Sequence, residues 1–541
     1  MTSTELPRGL EALAGGLITR RGLLRVGGGA AAAAVGLPLV ARVGLAAPGR
    51  QGEPRPGGEL TFGLSADPPN LDPHIDSGAA ASTIKQLVYG TLVRYWLEGE
   101  LQPNLAERWE ISPDGLEYTF FLRPGVTFHD GAPFTAADVK ASIERIQAEA
   151  TGATMQVEMS GIQEVIADGE QTVRLRLARP SAAMLEYLAQ PDTAIMSKAF
   201  LDAGNDPNTA MVGTGPYTFV SREPGVRTEL ARNESYFRDG LPYLDRIIFV
   251  PYPDENTRVS ALLGGEIDIA DYVPWKDMQA IEDDPALKLA LGQEAAFMCV
   301  IYNVKEAPFD NPKVRAALSY AFDRQAIVDA VFFGRGSLIT GGLIPTTSWA
   351  HNPDLDGTYP YDPERAKQLL DEAGFGDGFT VTLLSTSQYG MHQSSAEIAQ
   401  QNLQAIGIDC QLELYDWSTV VQRQSEGSYQ FRIHGLSPEL VDPDFLTNFF
   451  ASGSPFSRSS GFSDPEIDRL LEEGRSTLEE APRQEIYLQL ERRLLELAPW
   501  SLLAWREQGE GLKEEIAGYE HLPGSTGFKS AVTLEQVWRS E

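Results

Sequence analysis

The residues of this chain best suited to do chemistry lie close together in Phe431 to Phe450, FRIHGLSPELVDPDFLTNFF, where His434, Glu439, Asp442 and Asp444 sit between two apolar runs. Pro438 and Pro443 argue against one continuous helix or central strand across this stretch, because each removes a backbone donor and fixes φ. Carboxylates on such a bent segment can take an ammonium or other cation, ligate metal, or act as an acid/base pair. The spacing disfavours metal: no second His stands at a ligand-like distance from His434, and the cysteines are remote. A glycosidase pair such as Glu439 and Asp442 needs a fixed separation across a sugar ring, which neighbours on one loop rarely supply. No G-x-S-x-G or H-E-x-x-H motif is present either. Asp442-Pro443-Asp444 before an apolar run has the form of a turn and helix N-cap, so these two acids are expected to shape the segment.

What must position these residues is a large chain. At 541 residues it should form roughly two to four compact units. With 42% hydrophobic and 22% charged residues it is globular in composition. A net charge of -32 without a Lys/Arg cluster argues against nucleic-acid binding, which needs a basic face to neutralise phosphate. Only Cys299 and Cys410 occur, each in an apolar segment, and they are expected to be buried and free rather than bridged.

Residues 1–47 have the form of an address. Arg20-Arg21 precedes an Ala/Gly-rich apolar run and the small residues Ala46-Ala47, the order of a twin-arginine export signal. A Gly/Pro-rich tether over 48–57 follows, with no Cys for a lipid anchor. The mature protein is expected to be soluble and outside the cytoplasmic membrane, either periplasmic or at the membrane's extracellular face.

From Gly58 the pattern is mixed α/β. Glu59 to Leu64 reads as a strand and Ala80 to Tyr95 as a helix; Arg108 to Ile111 and Tyr118 to Leu122 form a hairpin about the turn Ser112-Pro113-Asp114-Gly115. Thr135 and Asp138 make a capping box, and Thr172 to Leu177 alternates as a half-buried strand. Asp254, Asp362 and Asp464 stand as helix caps. Asp310 to Ala330 reads as helical, Glu397 to Ile406 as a helix leading into the strand Ile408 to Tyr415, and Trp500 to Trp505 as a strand. No repeat of fixed period is present. Tyr89, Tyr95 and Trp96 are expected in the core.

The ordered landmarks GGELTFGLSADPPNLDPH, LQPNLAERWEISPDGLEYTFFLRPGVTFHDGAPFTAADV, GTGPYTF, YLDRIIFVPYPDENTRVSALLGGEIDIAD and YNVKEAPFDNPKVRAALSYAFDRQAIV resemble family 5 extracellular solute-binding proteins, the peptide- and nickel-type receptors of ABC importers. The resemblance continues through YDPERAKQLLDEAGF, IGIDCQLELYDW, GFSDPEIDRLL and LLELAPWSLL. It implies an α/β, periplasmic binding protein-like, two-lobed fold (type II, cluster C) whose lobes are joined by two hinge strands and close on ligand. The implied division is 58–297 for a first lobe with two subregions, 298–503 for a second, and 504–541 for the return to the first.

It also implies ligand contacts. Peptide-binding relatives carry an aromatic and, three residues on, an Asp that takes the peptide ammonium; those positions here are Leu436 and Glu439. Trp417 matches a cleft-lining aromatic. Gln388, Tyr389 and His434 would share its wall, and Asp76, Ser77 and Gly78 would come from the first lobe. Dipeptide receptors place an Arg for the ligand carboxylate where Thr386 and Ser387 stand. The implied partners are a small-molecule or peptide ligand and a membrane permease, with a monomeric receptor, no catalysis, no metal and no cofactor. An exported hydrolase is the alternative.

Overall fold

The computed structural model describes residues 53–75 and 78–540. The expected leader, the first half of the tether (48–52), Asp76 and Ser77 lie outside the described residues. Glu59–Leu64 is a strand, as its alternation predicts. Both its neighbours in the sheet, Arg246–Pro251 and Ile269–Ala270, run parallel to it. Arg227–Arg232 and Tyr217–Glu223 continue the sheet outward as antiparallel strands.

A second parallel set has Thr380–Thr386 at its centre, flanked by Asp409–Tyr415 and Phe431–Leu436. Parallel neighbours need crossovers, and helices Gly390–Ala405 and Trp417–Glu426 supply them.

Two long strands, Leu287–Tyr302 and Trp500–Lys513, run antiparallel and join the two sets into one 11-stranded sheet. One end of the pair meets Ile269–Ala270 and the other meets Phe431–Leu436. Between the ends the register breaks: Gly292 pairs with Gln508 and Ala296 with Arg506, leaving Gln293 to Ala295 opposite Glu507 alone. Unequal lengths of this kind bend and twist a ribbon where it would otherwise be straight. A separate four-stranded antiparallel sheet has the order Ala106–Ile111, Glu117–Leu122, Thr172–Leu177, Ile162–Ala167.

The helix starts follow local chemistry. Thr135 and Asp138 form the expected capping box, and Asp254, Asp362, Asp416 and Asp464 each accept a backbone N–H from the first turn. Four extents differ from expectation, the simplest being the helix read over Glu397 to Ile406, which starts earlier as Gly390–Ala405. The helix read over Ala80 to Tyr95 is Ala79–Val88, and Val93–Tyr95 is a short strand. The cause is tertiary: Gly215 N donates to Val88 O at 2.9 Å, and a Cβ at Gly213 or Gly215 would overlap the Val88 or Leu87 carbonyl oxygen. GTGPYTF is thus a close backbone approach that stops the helix. Asp310 to Ala330 divides into Pro312–Ala321 and Arg324–Val331, with Asp323 capping the second. The last long strand continues past Trp505 because Arg506, Gln508 and Glu510, which break its apolar pattern, are buried.

Among the described residues three large apolar clusters form the cores, and a small fourth of Leu384, Val420 and Tyr429 packs against Trp417. One surrounds Glu59–Leu64 and a second lies against Val300 and Tyr302 beneath helices Pro312–Ala321 and Gly390–Ala405. The third runs from Tyr118, Phe120 and Leu175 of the four-stranded sheet to Phe445, Phe449 and Trp500. Tyr89, Tyr95 and Trp96 are buried, as are the free thiols of Cys299 and Cys410.

Candidate functional site

In an open parallel sheet the crevice outside the carboxyl ends of the strands is the usual place for a ligand. Here two such ends converge. From the first set come Ser65, Tyr252, Asp271 and Tyr272; from the second come Ser387 to Tyr389, Asp416-Trp417 and Ser437 to Leu440. The sides meet where Tyr272 OH lies 3.8 Å from Met391 Sδ.

Tyr272 has φ of 53°, a left-handed conformation that costs a bulky residue about 1–3 kcal/mol unless its surroundings fix it. Arg258 fixes it. Its guanidinium donates to the carbonyls of Asp271 at 2.7 Å, Tyr252 at 2.7 Å and Tyr272 at 3.0 Å. The Tyr272 hydroxyl accepts from Arg506 Nη1 at 2.7 Å, and Asp271 accepts from Ser65 Oγ at 2.7 Å.

The opposing wall is aromatic. Trp417 stacks on His434 with ring centroids 5.7 Å apart and planes 10° from parallel. Tyr389 and His392 each meet Trp417 edge-on at 5.4 Å, and Phe456 lies 6.1 Å from His434. Such pairs add about 0.5–1.5 kcal/mol each beyond area burial. His392 and His434 are buried, so their imidazoles are held neutral: burial pushes His392 down to about 3 and His434 well below its usual range, with Arg506 and Arg432 adding to the former and Arg432 and His392 to the latter. The wall therefore offers flat apolar faces and neutral ring nitrogens.

Of the residues expected to line a cleft, Gln388, Tyr389, Trp417 and His434 are brought together; Gln388 Oε1 accepts the Trp417 backbone N–H at 3.1 Å. Glu439 stands apart as the exposed residue between buried Pro438 and Leu440, where its carboxylate accepts from Asn448 Nδ2 at 3.0 Å and its carbonyl from Lys529 Nζ at 2.8 Å. Gly78, exposed with φ of 90°, precedes the helix Ala79–Val88. Ser77 and Asp76 lie outside the described residues. Sequence reasoning missed Tyr272, His392, Phe456, Arg432 and Arg506. One signal was available: Arg432 and His434 alternate with Phe431 and Ile433 in a strand that pairs with the wholly apolar segment Phe297 to Tyr302.

Asp442 and Asp444 are structural. Asp442 accepts the Asp444 N–H at 2.9 Å as an N-cap and pairs with Arg483 at 2.7 Å. Asp444 takes the Tyr187 hydroxyl and Arg475 Nε, the latter at 3.0 Å. Glu186 accepts the Asp442 N–H and the Tyr95 hydroxyl, both at 2.8 Å, and burial beside Asp442 raises it to about 7. With Asp442 buried on Arg483 and Glu439 exposed, the hydrolase alternative gains no support. Among the described residues no group of three or more His, Cys, Asp or Glu is placed to hold a metal ion. No described helix is long and apolar enough to cross a membrane.

Two parallel-sheet units joined by a pair of long strands, with facing carboxyl ends, define a two-lobed periplasmic binding protein. The chain belongs to the bacterial extracellular solute-binding proteins, family 5, whose model matches residues 100–458. It is a solute-binding protein of the kind that serves ABC importers. It is 30% identical over 468 residues, 85% of this chain and 91% of the relative, to the glutathione-binding protein GsiB of Escherichia coli K12. Among solved structures it is similar to the periplasmic binding protein AgaA from A. tumefacien R10 in complex with agropinic acid, with a TM-score of 0.82, 39% identity and coverage of 90% of this chain and 99% of that one. It is also similar to the ABC transporter-associated DppA of Helicobacter pylori in complex with the peptide STSA, with a TM-score of 0.81, 27% identity and coverage of 90% and 99%.

Proposed function

We propose that this chain captures a small polar, peptide-like solute between two lobes outside the cytoplasmic membrane and delivers it to a membrane permease. The observation that carries the reading is the wall of Trp417, Tyr389 and His434 at the carboxyl ends of one parallel set, opposed by Tyr272 at the carboxyl end of the other. Trp417 and Tyr389 supply flat faces for the solute, Gln388 a polar rim and Glu439 a carboxylate at the mouth; Gly78 contributes from the first lobe. The lobes divide as 58–297 with 504–541 and 298–503. The long strands Leu287–Tyr302 and Trp500–Lys513 are the hinges, and their register break is the flexible point. The leader over 1–47 exports the chain by the twin-arginine route, and the receptor acts as a monomer.

The ligands in the relatives' names, glutathione, agropinic acid and the peptide STSA, are small polar molecules of the size a closed cleft can enclose. The test is thermal stabilisation of the mature protein after unfolding and refolding to strip carried-over solute. The panel is glutathione, STSA, agropinic acid, maltotriose and the nickel–histidine chelate. Saturable stabilisation by at least one member is expected. A folded sample that responds to none at millimolar concentration refutes the reading.

A further inference from the structure

Arg432 is buried, with none of its surface exposed, and it has no acidic partner among the described residues. Its Nη1 donates to Gln424 Oε1 at 2.7 Å, while Nε and Nη2 meet no acceptor in good hydrogen-bond geometry, the Tyr429 side chain giving the guanidinium its other polar support. Most other deep arginines are treated differently; Arg506, which also shows no ion pair among the described residues and has an unpartnered Nε, still gives Nη1 to the Tyr272 hydroxyl and Gln508 Oε1, each at 2.7 Å. Arg258 fills its fork with three carbonyls, Arg315 and Arg324 also bond to carbonyls, and Arg483 meets Asp442. A desolvated guanidinium with two idle nitrogens is costly unless an anion arrives. The rings of Tyr429 at 5.4 Å and Phe456 at 5.9 Å offset only part of that cost.

The idle groups share one place. Arg432 and His434 occupy the same face of the strand, two residues apart, and His434 Nδ1 is also buried without a partner. So is Nδ1 of His392, whose ring lies 6.0 Å from His434. Burial keeps both imidazoles neutral, so each can turn an N–H toward an oxygen without adding repulsion. The strand's carboxyl end opens on the cleft, and the half-buried indole of Trp417 covers His434. In a chain with a net charge of -32, a cation left unpaired behind a ligand-facing wall is not a surface accident.

We propose that the captured solute carries a carboxylate-class anionic group, and that Arg432, with His434 and His392, receives it once the Trp417 ring shifts from His434. The site would replace the arginine that is missing at Thr386 and Ser387. The proposal rests on the receptor reading above and narrows its ligand.

The test pairs acids with neutral forms by calorimetry and thermal shift: glutathione with its dimethyl ester, STSA with its C-terminal amide, and agropinic acid with its carboxamide. At least one free acid should bind about tenfold or more tighter than its neutral partner, because a site built for a charged group rejects the analogue lacking it. Arg432→Met should remove that preference, while Arg423→Gln on the adjoining helix should keep it. Should Arg432→Met fail to fold, Arg432→Lys, which keeps the charge but loses the fork, should retain a reduced preference. Equal affinity for acid and neutral forms, within about twofold, or an undiminished preference in Arg432→Met or Arg432→Lys, overturns the proposal. If only maltotriose or the nickel chelate binds, the proposal falls and the receptor reading stands; if nothing binds, both fall.

Discussion

Removing the guanidinium of Arg475 should expose how strongly the segment around Tyr187 is tied to the segment around Asp444. The Asp444 carboxylate is 1% exposed and accepts from Arg475 Nε, the Tyr187 hydroxyl and Thr447 Oγ1. Arg475→Leu leaves that carboxylate buried with hydroxyl donors only. Breaking a buried pair from one side costs about 3–5 kcal/mol, and the partial exposure of Arg475 places this case near ~3. Unfolding entropy near 2 cal/mol/K per residue gives about 1 kcal/mol/K for a unit of roughly 490 residues, so a single cooperative transition should fall by about 3 °C. If the roughly 100 residues around the four-stranded sheet unfold first, the same loss lowers that early transition by about 15 °C. Differential scanning calorimetry separates these outcomes. A double-mutant cycle with Asp444→Asn should return a coupling of at least ~1.5 kcal/mol, and additivity within about 0.5 kcal/mol would refute the reasoning.

Glu491 is buried, accepts the Ile344 N–H at 2.9 Å and is raised to about 7 by burial. A carboxyl raised above its unfolded value favours the fold below about pH 4.5, and that contribution is lost as pH rises through about 7. Glu491→Gln should therefore gain on the wild type by roughly 2–3 kcal/mol between pH 5 and pH 8, as read from urea midpoints; a pH-independent difference contradicts this. His74 and His129 are lowered to about 4, chiefly by burial, so the stability they favour is present above about pH 6.5 and lost as pH falls toward 4. Imidazole NMR signals from both should stay in the neutral form at pH 5.5; titration near 6.5 would show that the rings are solvated. Gly215→Ala should cost about 2–3 kcal/mol, since its Cβ overlaps the Leu87 carbonyl oxygen; an unchanged melting temperature would show that the helix end yields freely.

Much of the fold was legible because local chemistry and tertiary structure agree. Asp254, Asp362 and Asp464 cap the helices they announce, and the alternation of Thr172 to Leu177 marks the strand it forms. Legibility failed where a distant partner decided the outcome, as when Gly213 and Gly215 end the first helix at Val88 although the apolar spacing runs on to Tyr95. It failed too where polar residues are buried: Arg506, Gln508 and Glu510 hide the length of the last strand. Trp417, Tyr389 and His434 were expected from the family resemblance alone, and the structure sets each in or just beyond a strand of the second set. Tyr272 and Arg506 were not, because what brings them to the crevice is the three-carbonyl grip of Arg258 and the pairing of the long strands. Neither contact has a signature in the residues themselves.

The central claim is that solute sits between the two carboxyl ends, touching both walls. It is tested most directly by isothermal titration of the panel compound that stabilises the protein most, against the wild type, Trp417→Ala on one wall and Tyr272→Ala on the other. The account predicts one site in the wild type and a loss of about tenfold or more, ~1.4 kcal/mol, from each substitution in a folded protein. Wild-type affinity in both variants would contradict it.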